Sequence, residues 1–186
     1  HKKLEWAYSY MIRLRIPGGD LTAEQYVAMQ ESCERNGTGI IKITTRQTIQ
    51  FHGIVKARMK PTMKDFDVLG LDAIAACGDV NRNVMSTANP ALAPYHAEVH
   101  AFAQKISDHL LPRTGAFKEV WLDGEKLPQD DRGEDDPLYK DHYLPRKFKI
   151  AIAIPPHNEN DVFSNDIGLI AIGEGERFEG FNLSIG

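Results

Sequence analysis

The chain has 186 residues, of which 42% are hydrophobic and 26% are charged, as in a globular protein and unlike a disordered or fibrous one. Its 22 basic and 26 acidic side chains give a net charge of −4, which disfavours a nucleic-acid-binding protein that works through a basic surface. No apolar run approaches the roughly 20 residues of a membrane-spanning helix, and no apolar stretch follows the first residues as in a signal peptide, so we expect no membrane partner.

Positive charge is concentrated in the first third of the chain. Residues 1–60 carry ten basic and five acidic side chains, so an anion site should draw on this part. The two cysteines, Cys33 and Cys77, are far apart and predict neither a disulfide framework nor a cysteine-rich metal site. This cysteine usage fits a reducing, cytoplasmic setting. Because the chain opens on His1, we expect it to be a piece of a longer polypeptide.

The first predicted elements are a strand and a helix. Apolar residues alternate with Arg13 and Arg15, which predicts a strand over 11–16 that stops at a Pro-Gly-Gly sequence. Thr22 is followed three positions later by glutamine, the pattern of a capping box, so a helix should begin there and run to about Arg35.

The next stretch, from Gly39 to Gly53, alternates apolar and polar residues throughout. This pattern predicts one long strand with an unbroken polar face. A short helix should follow, opened by Pro61 and ended by Gly70.

The second half of the chain carries both kinds of periodicity. It predicts, in order, a loop over 78–83, a helix over 94–111, a strand over 117–122, an acidic loop over 123–141, a strand over 146–154, and a hairpin of 167–172 with 178–183. Strands and helices that do not alternate strictly indicate an α+β protein, with an antiparallel or mixed sheet covered by helices. We place a domain boundary near residues 60–70.

Three predicted strands carry two cations on one face, namely Arg13 with Arg15, Lys42 with Arg46, and Lys147 with Lys149. Neighbouring side chains on one face are about 6–7 Å apart, and two cations at that distance repel each other unless an anion lies between them. No acids alternate with these cations, so we interpret the missing counter-charge as a ligand with carboxylate or oxyanion groups. The alternative is an exposed edge strand, where Lys and Arg discourage aggregation. The mixed donors of the polar face, Thr44, Arg46, Gln50 and His52, favour the ligand.

A metal site is predicted nowhere in the chain. His96 and His100 are four positions apart on a predicted helix, as zinc ligands can be, but Ala97 stands where a zinc peptidase helix has its glutamate. A solvated helix face is therefore the preferred interpretation of the two histidines.

Five segments together resemble the siroheme-dependent sulfite and nitrite reductases, and are most similar to the assimilatory sulfite reductases. They are Met11 to Gly19, Thr44 to Gly53, Asn81 to Val84, Leu110 to Thr114, and Tyr143 to Lys149. The resemblance runs in order from about residue 7 to 186. It implies a ferredoxin-like half domain over 1–65, followed by the first part of a siroheme and [4Fe–4S] domain over 66–186.

The resemblance also implies an activity, the six-electron reduction of sulfite to sulfide, with nitrite as the alternative substrate. The implied cofactors are siroheme and a [4Fe–4S] cluster, and the implied electron donor is a flavoprotein or a ferredoxin. The family holds its cluster with four cysteines in a later part of the polypeptide, so this chain by itself should not turn over. A non-catalytic module that binds a tetrapyrrole or another polyanion is a further alternative.

The resemblance assigns roles to nine positions. Those that should surround the substrate and assist proton delivery are Arg13, Arg82, Lys147 and Lys149. Those that should lie near the macrocycle and its carboxylates are Thr44, Arg46, Gln50, His52 and Asn83. Cations around a bound oxyanion would favour its approach and supply protons as oxygen leaves.

Overall fold

The computed structural model describes residues 8–112, 121–122, 125–126, 136, 138–139 and 144–186. The helices in these ranges are α1 (Ala23–Asn36), α2 (Lys56–Val68) and α3 (His96–His109). The strands are β1 (Ser9–Arg13), β2 (Ile41–Ile43), β3 (Ile49–Val55), β4 (Trp121–Leu122), β5 (Glu125–Lys126), β6 (Ile150–Ala153), β7 (Ile167–Glu174) and β8 (Arg177–Ile185). No helix within the described ranges is long and apolar enough to cross a membrane.

The first sheet has the order β1-β3-β2, with both neighbours antiparallel to the central β3. One of its faces packs on α1 and α2 and forms a core of buried side chains from both strands and helices. Phe51 of β3 meets Phe66 of α2 edge to face, with ring centroids 5.1 Å apart. Because this face is fully apolar, the other face of β3 carries the polar residues toward the rest of the molecule.

The second sheet is mixed, as predicted. Strand β6 pairs parallel with β7, which pairs antiparallel with β8. The segment before α3 adds to the free side of β6 through a parallel bridge between Met85 and Ala151. A second core lies between this sheet and α3, where Val99 and Ile152 are fully buried.

Helix α1 confirms the prediction made from its capping sequence. The Thr22 hydroxyl accepts a hydrogen bond from the Gln25 amide at 3.1 Å, and the Gln25 side chain accepts one from the Thr22 amide at 3.0 Å. The Gly37 amide donates to the Cys33 carbonyl and closes the last turn. Helix α3 and the β7-β8 hairpin are confirmed as well, each within a few residues of the predicted bounds.

The prediction of one long strand over 39–53 is wrong. The stretch folds into β2 and β3, joined by a tight turn in which the Thr44 amide donates to the Thr48 carbonyl at 2.9 Å. Gln47 has φ of +51°, a left-handed conformation that a side chain other than Gly rarely adopts. The turn contains no Gly, Pro or Asn, so its sequence gives no signal. Contacts of Arg46 and Gln47 with distant parts of the chain hold it.

Two other elements differ from their predictions. Helix α2 begins at Lys56 and not at Pro61, which lies inside it, and the turn before Pro61 is exposed, so water can satisfy the carbonyl that the proline leaves unbonded. The strand predicted over 146–154 is shorter in the structure, where it comprises only β6. All four residues of β6 are buried. Both faces of β6 are therefore covered, and the lysines belong to an extended segment before it. The predicted strand over 117–122 and the acidic loop over 123–141 lie mostly outside the described residues.

Candidate functional site

A polar cavity of about 580 Å³ opens between the two sheets. Its wall is formed by the polar face of the first sheet, the β2-β3 turn, the loop before α3, the segment before β6, and the β6-β7 loop. Eight of the nine predicted site residues line it, and they are Arg13, Thr44, Arg46, Gln50, Arg82, Asn83, Lys147 and Lys149.

Arg46, at the tip of the β2-β3 turn, is held at the cavity floor by carbonyl groups. Its guanidinium donates to the Asn83 carbonyl at 2.7 and 3.2 Å, to the Ile150 carbonyl at 2.8 Å, and to the Asn165 side-chain oxygen at 2.6 Å. Burial, and then the charge of Arg82, lower the pKa of Arg46 to about 10. Arg46 is thus a buried cation whose hydrogen bonds all go to neutral oxygens.

Asn83 joins the two sheets through its side-chain amide. The oxygen accepts from the Ile16 amide at 2.7 Å, and the nitrogen donates to the carbonyls of Ile16 at 2.7 Å and Arg46 at 2.8 Å. The residue is only 3% exposed. Since the amide is used on the backbone, Asn83 positions the β2-β3 turn and leaves direct contact with a ligand to its neighbours.

Arg13 ends β1 and points into the cavity from the sheet. Its Nη1 donates to the Ala76 carbonyl at 3.3 Å and to Cys77 Sγ at 3.0 Å. The Gln50 side chain lies beside its other nitrogens, and the amide orientation that satisfies all neighbours has the Gln50 oxygen accepting from Arg13 Nε at 3.0 Å and Nη2 at 2.6 Å.

Arg82 lies near Arg13 on the loop before α3. Its Nε donates to the Gly78 carbonyl at 2.7 Å. Burial is the main cause that lowers the pKa of Arg82, and the neighbouring Arg13 charge lowers it further, while Cys77 and Asp79 raise it. The two arginines therefore repel each other at the cavity wall.

Lys147 and Lys149 complete the cationic wall from the segment before β6. Asp166 is nearby, but its carboxylate accepts a hydrogen bond from the backbone amide of Lys149 at 2.7 Å and forms no ion pair with the lysine side chain. Among the described residues, none of the five cations of this wall forms an ion pair with an acid. Two exposed acids, Glu159 and Asp161, also line the cavity. The described lining of the cavity thus carries an excess of positive charge, with five cations against two acids.

Three predicted cations or donors are placed elsewhere, each for a physical reason. Arg15, expected to lack a counter-charge, pairs with Asp72 at 2.6 Å and Asp108 at 2.9 Å. Lys42 remains on β2 and does not share a strand face with Arg46, which is in the turn. His52 is outside the lining of the cavity and contacts it through Gln50, whose amide is 2.9 Å from His52 Nε2.

Sequence reasoning missed the residues that the β6-β7 loop contributes. Asn160, Ser164 and Asn165 line the cavity opposite the first sheet. Asn160 also donates to the Ile152 carbonyl at 2.7 Å and accepts from the Gln47 amide at 3.1 Å. The available signal was the cluster of three asparagines and one aspartate within residues 158–165, which is rich in turn-forming side chains.

Other chemistry-bearing groups are not assembled into a centre. The described part of the chain contains no group of three or more His, Cys, Asp and Glu residues close enough to hold a metal ion. Cys33 is buried and Cys77 is exposed, and both thiols are free. The His96 and His100 rings stack at 5.9 Å, while His96 Nε2 is hydrogen-bonded to the Thr87 carbonyl at 2.6 Å.

The fold and the cavity together define a class of protein, an α+β protein with the nitrite and sulfite reductase fold and a cavity lined by cations. The solved structure of the Mycobacterium tuberculosis NirA protein superposes on this chain with a TM-score of 0.59 at 20% identity. The match covers 96% of this chain and 28% of that one. Dissimilatory sulfite reductase I gives a TM-score of 0.59 at 16% identity, over 89% of this chain and 33% of that one. At these identities, the likeness concerns the fold.

Sequence comparison defines the family. Residues 3–68 match the nitrite/sulfite reductase ferredoxin-like half domain, and residues 101–186 match the nitrite and sulphite reductase 4Fe-4S domain. The chain belongs to the nitrite and sulfite reductase family, which confirms the resemblance found in the sequence.

Two curated relatives are similar over the whole of this chain. The sulfite reductase (NADPH) hemoprotein beta-component of Leptospira biflexa is 59% identical over 185 residues, and that of Staphylococcus saprophyticus is 55% identical. These 185 residues are 33% and 32% of the relatives' lengths, so the chain spans about a third of the proteins that it matches.

Proposed function

We propose that this chain supplies the cationic wall of the active site of a siroheme-dependent sulfite reductase. The observation that carries the proposal is the convergence of Arg13, Arg46, Arg82, Lys147 and Lys149, from four separate segments, on one cavity without acidic partners in the described structure. Such an arrangement is costly unless an anion occupies the cavity. The two relatives that are 59% and 55% identical to this chain over 185 residues are named sulfite reductase hemoproteins.

The cavity fits a polycarboxylate macrocycle. Hydroxyl, amide and cationic groups alternate around it, and carboxylates of siroheme would find donors on Thr44, Arg46 and Gln50. Asn83 and His52 would support these donors from behind, through the hydrogen bonds of Asn83 to the Arg46 segment and of His52 to Gln50. When bound, siroheme supplies the iron that holds sulfite and receives electrons from a [4Fe–4S] cluster. The chain contains two cysteines, so the four cluster ligands of the family would come from another part of the protein.

Four cations would act on the substrate. Arg13 and Arg82 would offer guanidinium N–H groups to the oxygens of sulfite, which would orient the anion and stabilise its negative charge. Lys147 and Lys149 hold protons on Nζ atoms that face the same cavity, and these protons can be passed to an oxygen as it leaves as water. The cations that attract the oxyanion would thus also include the groups that deliver the protons consumed in the reduction.

The electron donor proposed from the relatives' names is an NADPH-dependent flavoprotein, with a ferredoxin as the alternative. We also propose a cytoplasmic location, where the two free thiols would stay reduced. The division into a half domain over 1–65 and a siroheme domain portion over 66–186 completes the proposal. The first core draws on side chains from β1, α1, β3 and α2, and it extends past residue 65 to Phe66 of α2.

The test uses the full-length protein that contains this chain. The double variant Lys147→Met and Lys149→Met should keep the siroheme absorbance and lose sulfite turnover by at least about 100-fold, since proton transfer by positioned groups contributes 10²–10⁴-fold. Lys105→Met, a substitution of an exposed lysine on α3, is the matched control and should turn over normally. Unaltered sulfite turnover in the double variant would refute the assigned roles. Faster turnover of nitrite than of sulfite in the wild type would support the alternative substrate.

A further inference from the structure

Three side chains form a hydrogen-bonded row that runs from the sheet into the cavity. His52 and Gln50 lie two positions apart on the polar face of β3, and Arg13 of β1 is the direct cross-strand partner of Gln50. One end of the Gln50 amide is 2.9 Å from His52 Nε2, and the other end faces Arg13 Nε and Nη2 at 3.0 and 2.6 Å. The row links a titratable ring to an arginine of the cationic wall.

The charge of His52 decides which way the Gln50 amide points. A neutral ring with an unprotonated Nε2 accepts a hydrogen bond, so the amide nitrogen turns to His52 and the amide oxygen accepts from Arg13 twice. A protonated ring has an N–H at Nε2 and needs an acceptor. The amide then turns its oxygen to His52, and its NH₂ group meets the N–H groups of Arg13, which are donors as well.

The second orientation leaves donors without an acceptor on the cavity side. In this orientation the Gln50 nitrogen faces Arg13 Nε and Nη2 at 3.0 and 2.6 Å, in the mouth of the parallel fork that suits a bidentate oxyanion. We propose that His52 is a positioning residue that couples protonation to oxyanion binding, because its protonated form turns the Gln50 amide, sets donor against donor, and so lets an oxyanion displace the Gln50 side chain from the Arg13 fork. Histidine changes its charge between about pH 5 and 8, the range in which such coupling would act.

The groups near His52 come from both neighbouring strands and from the adjoining loop. Arg13 on β1 and Lys42 on β2 both pair with Gln50 across the sheet, and Tyr10 of β1 lies further along, opposite Ile54. The adjoining loop offers only its Thr38 amide, which donates to the His52 carbonyl at 3.1 Å. Helices α1 and α2 pack on the opposite face, where Phe51 is buried. Among the described strand residues that pair with Gln50, both Arg13 and Lys42 are cations.

The experiment measures sulfate binding to the full-length protein by calorimetry at pH 6.0 and 8.5, because sulfate keeps the same charge at both values. The proposal rests on the proposed function only in that the cavity binds an oxyanion. We expect wild-type protein to bind sulfate about tenfold more tightly at the lower pH, with proton uptake seen as a dependence of the binding heat on buffer. His52→Gln should remove this pH dependence, whereas His109→Gln, at the exposed end of α3, should keep it.

Gln50→Met separates the amide mechanism from simple charge attraction. It keeps the His52 charge and breaks the row, so the pH dependence should vanish. Persistence of the full dependence in Gln50→Met, or its absence in the wild type, overturns the proposal. Nuclear magnetic resonance of the His52 ring gives a second measure, since saturating sulfate should raise its titration midpoint by about one pH unit in the wild type, as a tenfold coupling requires.

A third variant keeps the test valid if Gln50→Met does not fold. In Gln50→Glu the carboxylate accepts from both Arg13 and protonated His52, so the His52 midpoint should rise without sulfate, and an unchanged midpoint would contradict the coupling. Failure of this inference is distinguishable from failure of the proposed function. If sulfate binding depends on His52 protonation but the protein does not reduce sulfite, only the proposed function is refuted. If the protein reduces sulfite but its sulfate binding does not depend on His52 protonation, only the role of His52 is refuted.

Discussion

Asn83 connects three segments of the chain through one buried side chain. Its amide bonds both backbone groups of Ile16, after β1, and the carbonyl of Arg46 in the β2-β3 turn, while its own carbonyl accepts from the Arg46 guanidinium. Without the side-chain amide, the Ile16 amide and the Arg46 carbonyl would lose these hydrogen bonds, and an unsatisfied buried polar group costs about 1–3 kcal/mol. A single residue therefore fixes the position of a cation at the cavity floor.

Asn83→Ala should lower the free energy of unfolding by about 2–4 kcal/mol, because several hydrogen bonds and one packed amide are lost together. Asn83→Asp should be at least as destabilising, since a carboxylate oxygen would face the Ile16 and Arg46 carbonyls in place of the NH₂ group. Urea denaturation measures both. The control is Asn89→Ala on the surface, where one bond to the Ala91 amide is lost, and equal effects at positions 83 and 89 would contradict the assignment.

The two cysteines should differ in reactivity. Burial raises the pKa of the Cys33 thiol, which is 0% exposed, so at pH 8 it is both protonated and inaccessible. Cys77 is exposed and accepts a hydrogen bond from Arg13. We expect iodoacetamide to alkylate Cys77 and spare Cys33 in the folded protein, as read by peptide mass spectrometry. Both should react in guanidinium chloride, and equal labelling rates in the native state would argue against the buried position of Cys33.

At the scale of elements, Arg15 ties the first sheet to α3. Its guanidinium binds Asp72 with two parallel hydrogen bonds at 2.6 and 3.1 Å, and it also reaches Ser107 and Asp108 on the helix at 3.1 and 2.9 Å. Burial alone would lower the pKa of Arg15, but the hydrogen bonds and charges of Asp72 and Asp108 raise it overall. While both carboxylates are charged, the stability that Arg15 contributes is therefore fully present below the ordinary arginine pKa and is lost as the pH rises above it.

Asp72→Asn should destabilise the protein by about 1–3 kcal/mol, because the substitution breaks a two-pronged pair with a mostly buried guanidinium. Asp108→Asn should cost at most about 1 kcal/mol, since that carboxylate is 53% exposed and solvent screens its charge. Thermal and urea unfolding of the two variants measure the difference. A larger effect at position 108 than at position 72 would contradict the account.

The elements that the sequence predicts well are those with local determinants. Helix α1 carries its own capping box and its C-terminal glycine, so its bounds follow from about 15 neighbouring residues. The β2-β3 turn has no such determinant, because Arg46 and Gln47 are held by partners at positions such as Asn165 and Ser86. Strand β6 lacks the alternation of a half-exposed strand because both its faces are covered. Partners distant in sequence leave no periodic signal, so these elements required the tertiary structure.

At the scale of the whole molecule, the cationic cavity makes the folded chain less stable than its packing allows. The pKa of Arg46, lowered to about 10 by burial, means that the unfolded chain binds this proton more tightly than the folded one. The charge of Arg46 therefore costs stability at every pH below about 10, and the cost disappears as the pH rises from 10 toward the ordinary arginine value. An anion in the cavity would offset the same cost at neutral pH.

Sulfate should consequently stabilise the protein more than chloride does at equal ionic strength. At a concentration a hundred times its dissociation constant, a ligand that binds only the folded state adds about 2.7 kcal/mol. We expect a rise in the melting temperature in sulfate over chloride that is reduced in Arg82→Gln. The same sulfate increment in Arg82→Gln and the wild type would show that sulfate acts through general salt effects and not at the cavity. Lys42→Gln, on β2 and outside the cavity lining, is the control and should keep the increment.

The sequence by itself determined the α+β class, the helix bounds that have caps, the family, and the identity of eight residues that line the cavity. The class and the capped helices follow from periodicity and capping in neighbouring residues, whereas the family and the site residues follow from the resemblance of five ordered segments to a known family. Only the tertiary structure decided that Arg15 is neutralised by Asp72, that Arg46 rests on carbonyls, and that the β6-β7 loop closes the site. The physical reason is that the charge environment of a side chain depends on groups far away in sequence, and the fold alone brings them within a few ångströms.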